Sequence, residues 1–287
     1  MKIINLELPS NHDFVLFGCT HEGSVLQHNT GVQACKEFIM AKRARYALHG
    51  GDAAEWRMVD HPYYDPRTVT GSTPQMQRDK VIEDFSPIKS RLMVMLEGNH
   101  EYGLQRWGCM TEELCSGLST SKHTVIPGTH AAVIQIHDKK GLMYKIFATH
   151  GAGTLSSNAK DWEQQQANMK AALKMKLQDL MGDCLVMGMW HTHRLLIVPP
   201  SERLYLMSES EKIKQHYLHK EVAKKERVTK YIPPDRRWYV NGGSFLKLYQ
   251  LGVSGYAERK LYKPVELGFA NIVCRDRTVV DIEKKVV

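Results

Sequence analysis

The chain has 287 residues, a formal net charge of +8 and 14 histidines. Hydrophobic residues make up 43% and charged residues 24%, the balance of a globular protein and not of a disordered one. Six scattered cysteines without a Cys-x-x-Cys pair argue against a zinc ribbon and against a secreted disulfide framework. No apolar run approaches a membrane span, and Met1 to Glu7 lacks the continuous apolar stretch of a secretory signal. The expectation is a soluble, cytoplasmic protein whose residues 1–287 form a single domain.

The predicted elements alternate between strand and helix. Phe14 to Phe17 reads as a strand ending at Gly18, and Val32 to Arg45 as a helix facing the core through Val32, Cys35, Phe38 and Ile39. Tyr46 to Leu48 is the next strand. Thr73-Pro74 opens a helix through Phe85, since proline suits the first turn. Leu92 to Leu96 is a third strand, and Thr111 to Leu118 a short helix with Thr111 as its N-cap. Ala131 to Ile136 and Met143 to Phe147 flank Lys139-Lys140-Gly141 as a hairpin. Ala159 to Met181 is the longest helical pattern, with Trp162, Met169, Leu173, Leu177 and Leu180 on one face and Gly182 as its C-terminal cap. Leu185 to Met189 is a strand. The β-rich segments Arg194–Pro199, Leu204–Met207, Trp238–Val240, Phe245–Tyr249, Ile272–Cys274 and Thr278–Ile282 follow.

This order predicts an α/β fold, with sheets in the middle and helices outside. Glu209 to Arg237 is a compositional outlier: Lys212, Lys214, Lys220, Lys224, Lys225, Arg227, Lys230, Arg236 and Arg237 outnumber its acids by four. It reads as a basic insertion between β segments. A solvated surface is the plain reading. Tyr217, Tyr231 and Trp238 interleave with the cations, so a nucleic-acid face is the sharper one.

Metal-binding side chains recur just after apolar strands: Cys19-Thr20-His21, Gly51-Asp52, Gly98-Asn99-His100-Glu101, His150-Gly151 and His191-Thr192-His193. Strand ends are where open α/β sheets gather ligands. Carboxylate, thiolate, amide and imidazole donors together suit two divalent ions sharing one carboxylate.

In order and spacing these blocks resemble the calcineurin-like metallophosphoesterase superfamily, whose pattern is Asp-x-His, Gly-Asp, Gly-Asn-His-Asp/Glu, His and Gly-His-x-His. The resemblance is strong over residues 13–193 and continues weakly through Asn241-Gly242-Gly243-Ser244-Phe245. It implies a layered α/β/β/α sandwich of two mixed sheets flanked by helices, with a dimetal site at the strand ends. One ion would be held by Cys19, His21 and His193, the other by Asn99, His150 and His191, and Asp52 would bridge them. His100 would protonate the leaving group and Glu101 would orient it. The implied activity is phosphoester hydrolysis by a metal-bridging hydroxide, with ions roughly 3.5–4 Å apart. His12, His28, His61, His123, His130, His137, His216 and His219 read as structural or exposed. His49 reads as a support or loop-packing residue.

Two positions depart from the pattern. Cys19 stands where the family has aspartate, and Trp190 where it has the glycine before His-x-His. Asp13 precedes the strand and is no substitute. A thiolate favours zinc or iron over manganese or magnesium at that ion. Trp190 either narrows the cleft or packs against the sheet. The positive charge favours a phosphodiesterase or nuclease-type enzyme; Glu97 before Gly98 and Ala53-Ala54-Glu55 after Asp52 weaken a protein phosphatase. The alternatives are a phosphomonoesterase, or a scaffold of the same fold weakened in catalysis. Oligomeric state is left open.

Overall fold

Short apolar runs rich in β-branched and aromatic residues form the strands, and longer segments with one apolar face form the helices between them. The computed structural model describes residues 1–61, 64–220, 222 and 228–287. In chain order its strands are β1 (Lys2–Glu7), β2 (His12–Phe17), β3 (Arg45–His49), β4 (Leu92–Met95), β5 (Ile126–Pro127), β6 (Ala131–Asp138), β7 (Gly141–Thr149), β8 (Val186–Met189), β9 (Leu195–Val198), β10 (Arg203–Glu209), β11 (Lys212–Leu218), β12 (Trp238–Gly242), β13 (Gly268–Arg275) and β14 (Thr278–Val286). The helices are α1 (Asn29–Met40), α2 (Pro74–Phe85), α3 (Asn99–Tyr102), α4 (Met110–Leu118), α5 (Trp162–Leu177) and α6 (Tyr256–Arg259). No helix among the described residues is long and apolar enough to cross a membrane.

The protein is a mixed α/β structure with two six-stranded sheets, ordered β1-β6-β7-β8-β12-β9 and β14-β13-β2-β3-β4-β5. In the second, β2, β3 and β4 run parallel. In the first, β7, β8 and β12 run parallel. One apolar cluster draws on both sheets, joining Leu16, Leu48 and Ile272 to Ile134, Ile146 and Val240. A second packs Val32, Val81 and Leu114 of α1, α2 and α4 on the β2–β4 side, and a third packs Met169, Leu173 and Leu177 of α5 against Phe147 and Tyr239. Apolar side chains thus leave water on both faces of each central sheet, the largest favourable contribution to folding.

Several expected boundaries move, each for a local reason. The helix expected through Arg45 stops at Met40, because Arg45 starts β3 with its guanidinium 3.0 Å from the buried Asp13 carboxylate. Thr111 is not an N-cap: Cys109 holds that extended position, and Thr111 is buried inside α4. The expected 159–181 helix covers Trp162–Leu177 and is capped by Asp161, whose carboxylate accepts from Gln164 N at 2.7 Å. Gly182 lies beyond its end, and Trp162 and Leu180 are exposed, so they leave the packing face. Phe245–Tyr249 is no strand; Phe245 is buried as an anchor and Leu246 makes one bridge to Gln27.

The basic insertion is partly internal. Arg237 is buried, and its guanidinium donates to the carbonyls of Gln178, Leu180 and Gly182 just past α5 and to that of Ile232 in the insertion itself. Arg236 donates to His219 O, while Lys214 pairs with Glu209 and Lys220 with Asp281. Lys224, Lys225 and Arg227 lie outside the described residues. Among the described residues the strand expected at Leu204–Met207 pairs only with β11, as a separate two-stranded ribbon whose Leu206 and Ile213 are exposed.

Candidate metal centre

All five ligand-bearing blocks sit at the carboxyl ends of parallel strands. Cys19 and His21 follow β2, Asp52 follows β3, Asn99 follows β4, His150 follows β7, and His191 and His193 follow β8. The two sheets therefore meet at one cluster of side chains. Tight turns carry them inward: Cys19, His21, Asp52 and His193 all have left-handed backbones, with φ of 48°, 50°, 54° and 54°. Such conformations are strained for non-glycine residues and concentrate at functional sites. The Asn241–Phe245 turn braces the loop from below. Ser244 Oγ donates to Cys19 O at 3.2 Å, Phe245 N to the same carbonyl at 3.1 Å, and Asn241 Nδ2 to Thr192 Oγ1.

Within this cluster Cys19, His21, Asp52 and His193 offer donor atoms that all lie within 4.8 Å of one another, and so do Asp52, His150 and His191. Asp52 Oδ2 stands between them, 3.9 Å from His21 Nε2 and 3.2 Å from His150 Nε2. Asn99 Oδ1 completes the second group, 3.0 Å from His150 Nε2 and 2.8 Å from His191 Nδ1.

The hydrogen bonds around the cluster decide which lone pairs face inward. His150 Nδ1 lies 2.8 Å from Gly50 O, an acceptor, so Nδ1 carries a proton and the neutral ring, the form that binds metal, presents its lone pair at Nε2; without a cation, Asp52 raises the ring's affinity for a second proton. That lone pair meets the oxygens of Asn99 and Asp52. His21 Nδ1 donates to Glu55 Oε2 at 3.1 Å, leaving its Nε2 facing His193 Nε2 at 3.3 Å. Acceptors converging on acceptors are costly in a buried site unless a cation lies between them. The donor set therefore fits a bound metal ion.

Charge follows the same pattern. Burial pushes the Asp52 carboxyl up, but the His150, His100 and His21 rings outweigh it and hold it well below the usual carboxylate range. Burial, with Asp52 and Glu101 close by, pushes the Cys19 thiol well above its ordinary value, so a bound cation is what would make it a thiolate. Burial drives His193 well below the usual imidazole value. Neutral imidazoles are the form that binds metal.

His100 lines the cleft beside the cluster. Its backbone N–H donates to Asp52 Oδ1 at 3.0 Å, its Nδ1 bonds Glu55 O, and its ring stands edge-on to His21. Burial lowers its affinity for protons, but Asp52 and Glu55 more than offset that, and the net shift is upward. Glu101 does not meet the expectation that it orients His100. Its carboxylate accepts from Asp52 N at 2.9 Å, Ala53 N at 2.7 Å, Gly98 N at 2.9 Å and Trp56 Nε1 at 3.2 Å. It pins two ligand loops together instead.

Glu55 is the residue that sequence reasoning missed. Buried, with its other oxygen 2.9 Å from Arg57 Nε, it fixes the His21 tautomer. Burial opposes its ionisation, but His21 and its other neighbours bring it down to about 2. The available signal was a carboxylate three residues after Asp52 in a ligand loop. His21, Glu55 and His100 also form a close group of donors, but His21 and Glu55 already satisfy each other.

Trp190 packs under the site and does not line the cleft. Fully buried, it fills a slot where a Cβ on Gly18, Gly50 or Gly242 would come within 2.8, 2.0 and 2.1 Å of its indole. His49 packs against Phe17 and Phe85 instead, with Nε2 3.1 Å from Thr20 Oγ1 and Nδ1 accepting from Gly51 N at 3.2 Å. His12 is structural, held between Pro9 O and Tyr144 Oη at 2.7 Å each. Asp13 sits at the far end of β2, paired with Arg45 and Arg275.

Two cavities open onto the cluster. One of about 980 Å³ is lined by His21, Asp52, Asn99, His100, His191 and His193, among others. A second of about 540 Å³ shares Arg57, Asn99 and His100 with it. No protein-family description matches this sequence, and no curated protein matches it significantly.

Proposed function

We propose that this chain is a metal-dependent phosphoester hydrolase of the calcineurin-like type, acting on a phosphodiester. The observation that carries the reading is the convergence of Asp52 Oδ2, Asn99 Oδ1 and the Nε2 atoms of His21 and His150 on one spot at the meeting of the two sheets. In this reading the two sheets and their helices form a layered α/β/β/α sandwich in one domain. Cys19, His21 and His193 hold one divalent ion, Asn99, His150 and His191 hold a second, and Asp52 serves both. The ions are manganese, zinc or iron, with Cys19 favouring zinc or iron at its position. When bound, they supply neutralisation of phosphate charge and an acidified water.

The chain's own groups do the rest. His100, held by Glu55 O and Asp52, reaches the cleft as the acid for the leaving oxygen. Glu101 is a positioning residue for the Asp52 and Asn99 loops. Two cavities that share Asn99 and His100 in their walls support a diester, since each ester arm then has room. A nuclease-type substrate draws on the +8 charge, though Arg236 and Arg237 of the insertion are committed to backbone carbonyls. The competing scaffold reading draws on Cys19, whose buried thiol is neutral without an ion.

The test is metal analysis with turnover of bis-aryl and mono-aryl phosphates by wild type and Asp52→Asn. The expected result is metal bound by the wild type, faster hydrolysis of the diester, and loss of both in the variant. Undiminished turnover in Asp52→Asn would overturn the reading. Absence of metal from the wild type, with no metal-stimulated turnover, would favour the scaffold.

A further inference from the structure

Beyond the ligand cluster, the wall of the larger cleft is cationic. Arg57, Arg194, Lys247, Arg259 and Lys263 line it, against Asp65 as the acid outside the cluster and its Glu55 neighbour. Four of these cations are engaged. Arg57 Nε lies 2.9 Å from Glu55 Oε1, and Lys247 Nζ donates to Gln250 Oε1 at 2.6 Å. Arg259 Nη2 is 3.7 Å from Asp65 Oδ2 and donates to Ser254 O at 3.3 Å, and Lys263 Nζ donates to Gln165 Oε1 at 3.4 Å.

Arg194 differs. Its side chain is half-buried, yet among the described residues its guanidinium makes no hydrogen bond and no ion pair. It directly follows His193, and its own carbonyl is fixed by Gly243 N at 3.1 Å. A guanidinium partly withdrawn from water without a counter-charge, and open to the cleft, is free to take an incoming anion. Its planar fork matches two oxygens of a phosphate. Trp162 and Tyr262 border the same cleft and offer aromatic faces to a base.

We propose that Arg194 binds a second phosphate of the substrate, beyond the ester group at the ligand cluster. The preferred substrates are then phosphodiesters carrying a neighbouring terminal phosphate, of the nucleotide type. This inference rests on the phosphoesterase reading for its catalytic arm, and on Arg194 alone for its binding arm.

The experiment compares thymidine 5′-(p-nitrophenyl phosphate) with the same compound bearing a 3′-phosphate, so that leaving group and reacting centre are identical. Wild type should favour the 3′-phosphorylated compound in kcat/KM by about tenfold or more, through KM, the worth of one charge-assisted contact. Arg194→Ala should collapse that ratio toward one, and Arg194→Lys should restore part of it. Wild type without a preference, or an equal loss on both compounds in Arg194→Ala, would overturn the proposal. Hydrolysis of neither compound by metal-loaded wild type would instead sink the phosphoesterase reading. Calorimetry on the metal-free protein then still decides the role of Arg194. Thymidine 3′,5′-bisphosphate should bind more tightly than thymidine 5′-phosphate to wild type, and without that difference to Arg194→Ala. The same difference in both proteins would refute the subsite.

Discussion

His21 and Glu55 form a buried pair in which the carboxylate accepts a hydrogen bond from Nδ1–H, at 3.1 Å, and so turns Nε2 toward His193. A carboxylate behind a ligating imidazole fixes its ring and raises its basicity, and losing it costs about 10–100-fold in metal affinity. Glu55→Gln should therefore weaken metal binding by that order, read by competition with a chromophoric chelator. Unchanged affinity would show that the His21 ring is held by other contacts.

His100→Ala should retain metal while slowing hydrolysis, most strongly for esters with poor leaving groups. The check is a series of aryl esters of rising leaving-group pKa, with metal content measured on the same samples. An equal loss across the series would argue against proton donation by His100. The upward shift of His100 keeps it protonated further toward neutral pH than an ordinary imidazole, as an acid requires.

Cys19→Asp should move metal preference from zinc or iron toward manganese, because a hard oxygen replaces a soft sulfur. Activity reconstituted with each ion in turn reads the change. An identical preference would remove Cys19 from the ligand set.

The blocks that carry these predictions were legible in the sequence because each is local: an apolar strand, a turn, then donors. The strands that deliver them were legible for the same reason. Side-chain direction was not. Glu55 sat in plain view after Asp52 but its partner His21 is 34 residues away. Glu101 looked like a support for the adjacent imidazole, yet it reaches across to Asp52 and Ala53. Arg236 and Arg237 looked like surface charge, but carbonyls just past α5 and near His219 draw them inward. These outcomes depend on which loops meet, and no local pattern encodes that.

His49 makes stability depend on pH. Full burial lowers it from an ordinary 6.5 to about 3. The unfolded chain binds this proton more readily, so the contribution is complete above pH 6.5 and falls as pH drops toward 3. The fall is at most about 1.4 kcal/mol per pH unit. Urea unfolding of the metal-free protein at pH 7 and pH 5 should show a smaller decline for His49→Gln than for wild type. Equal declines would show that other groups set the acid sensitivity.

Trp190→Ala should destabilise the protein by about 3–5 kcal/mol, since it empties the slot between Gly18, Gly50 and Gly242. Denaturant titration measures it. A cost below about 1 kcal/mol would mean that the surrounding strands close the gap.

The donors of the cluster come from two sheets: Cys19, His21, Asp52 and Asn99 from the ends of β2, β3 and β4, and His150, His191 and His193 from the ends of β7 and β8. An ion seated among them is thus a rivet between halves of the molecule that are far apart in sequence. Its release would loosen the seam before it unfolded any strand. Resistance to proteolysis at the joining loops would then track the concentration of any metal ion that this cluster binds.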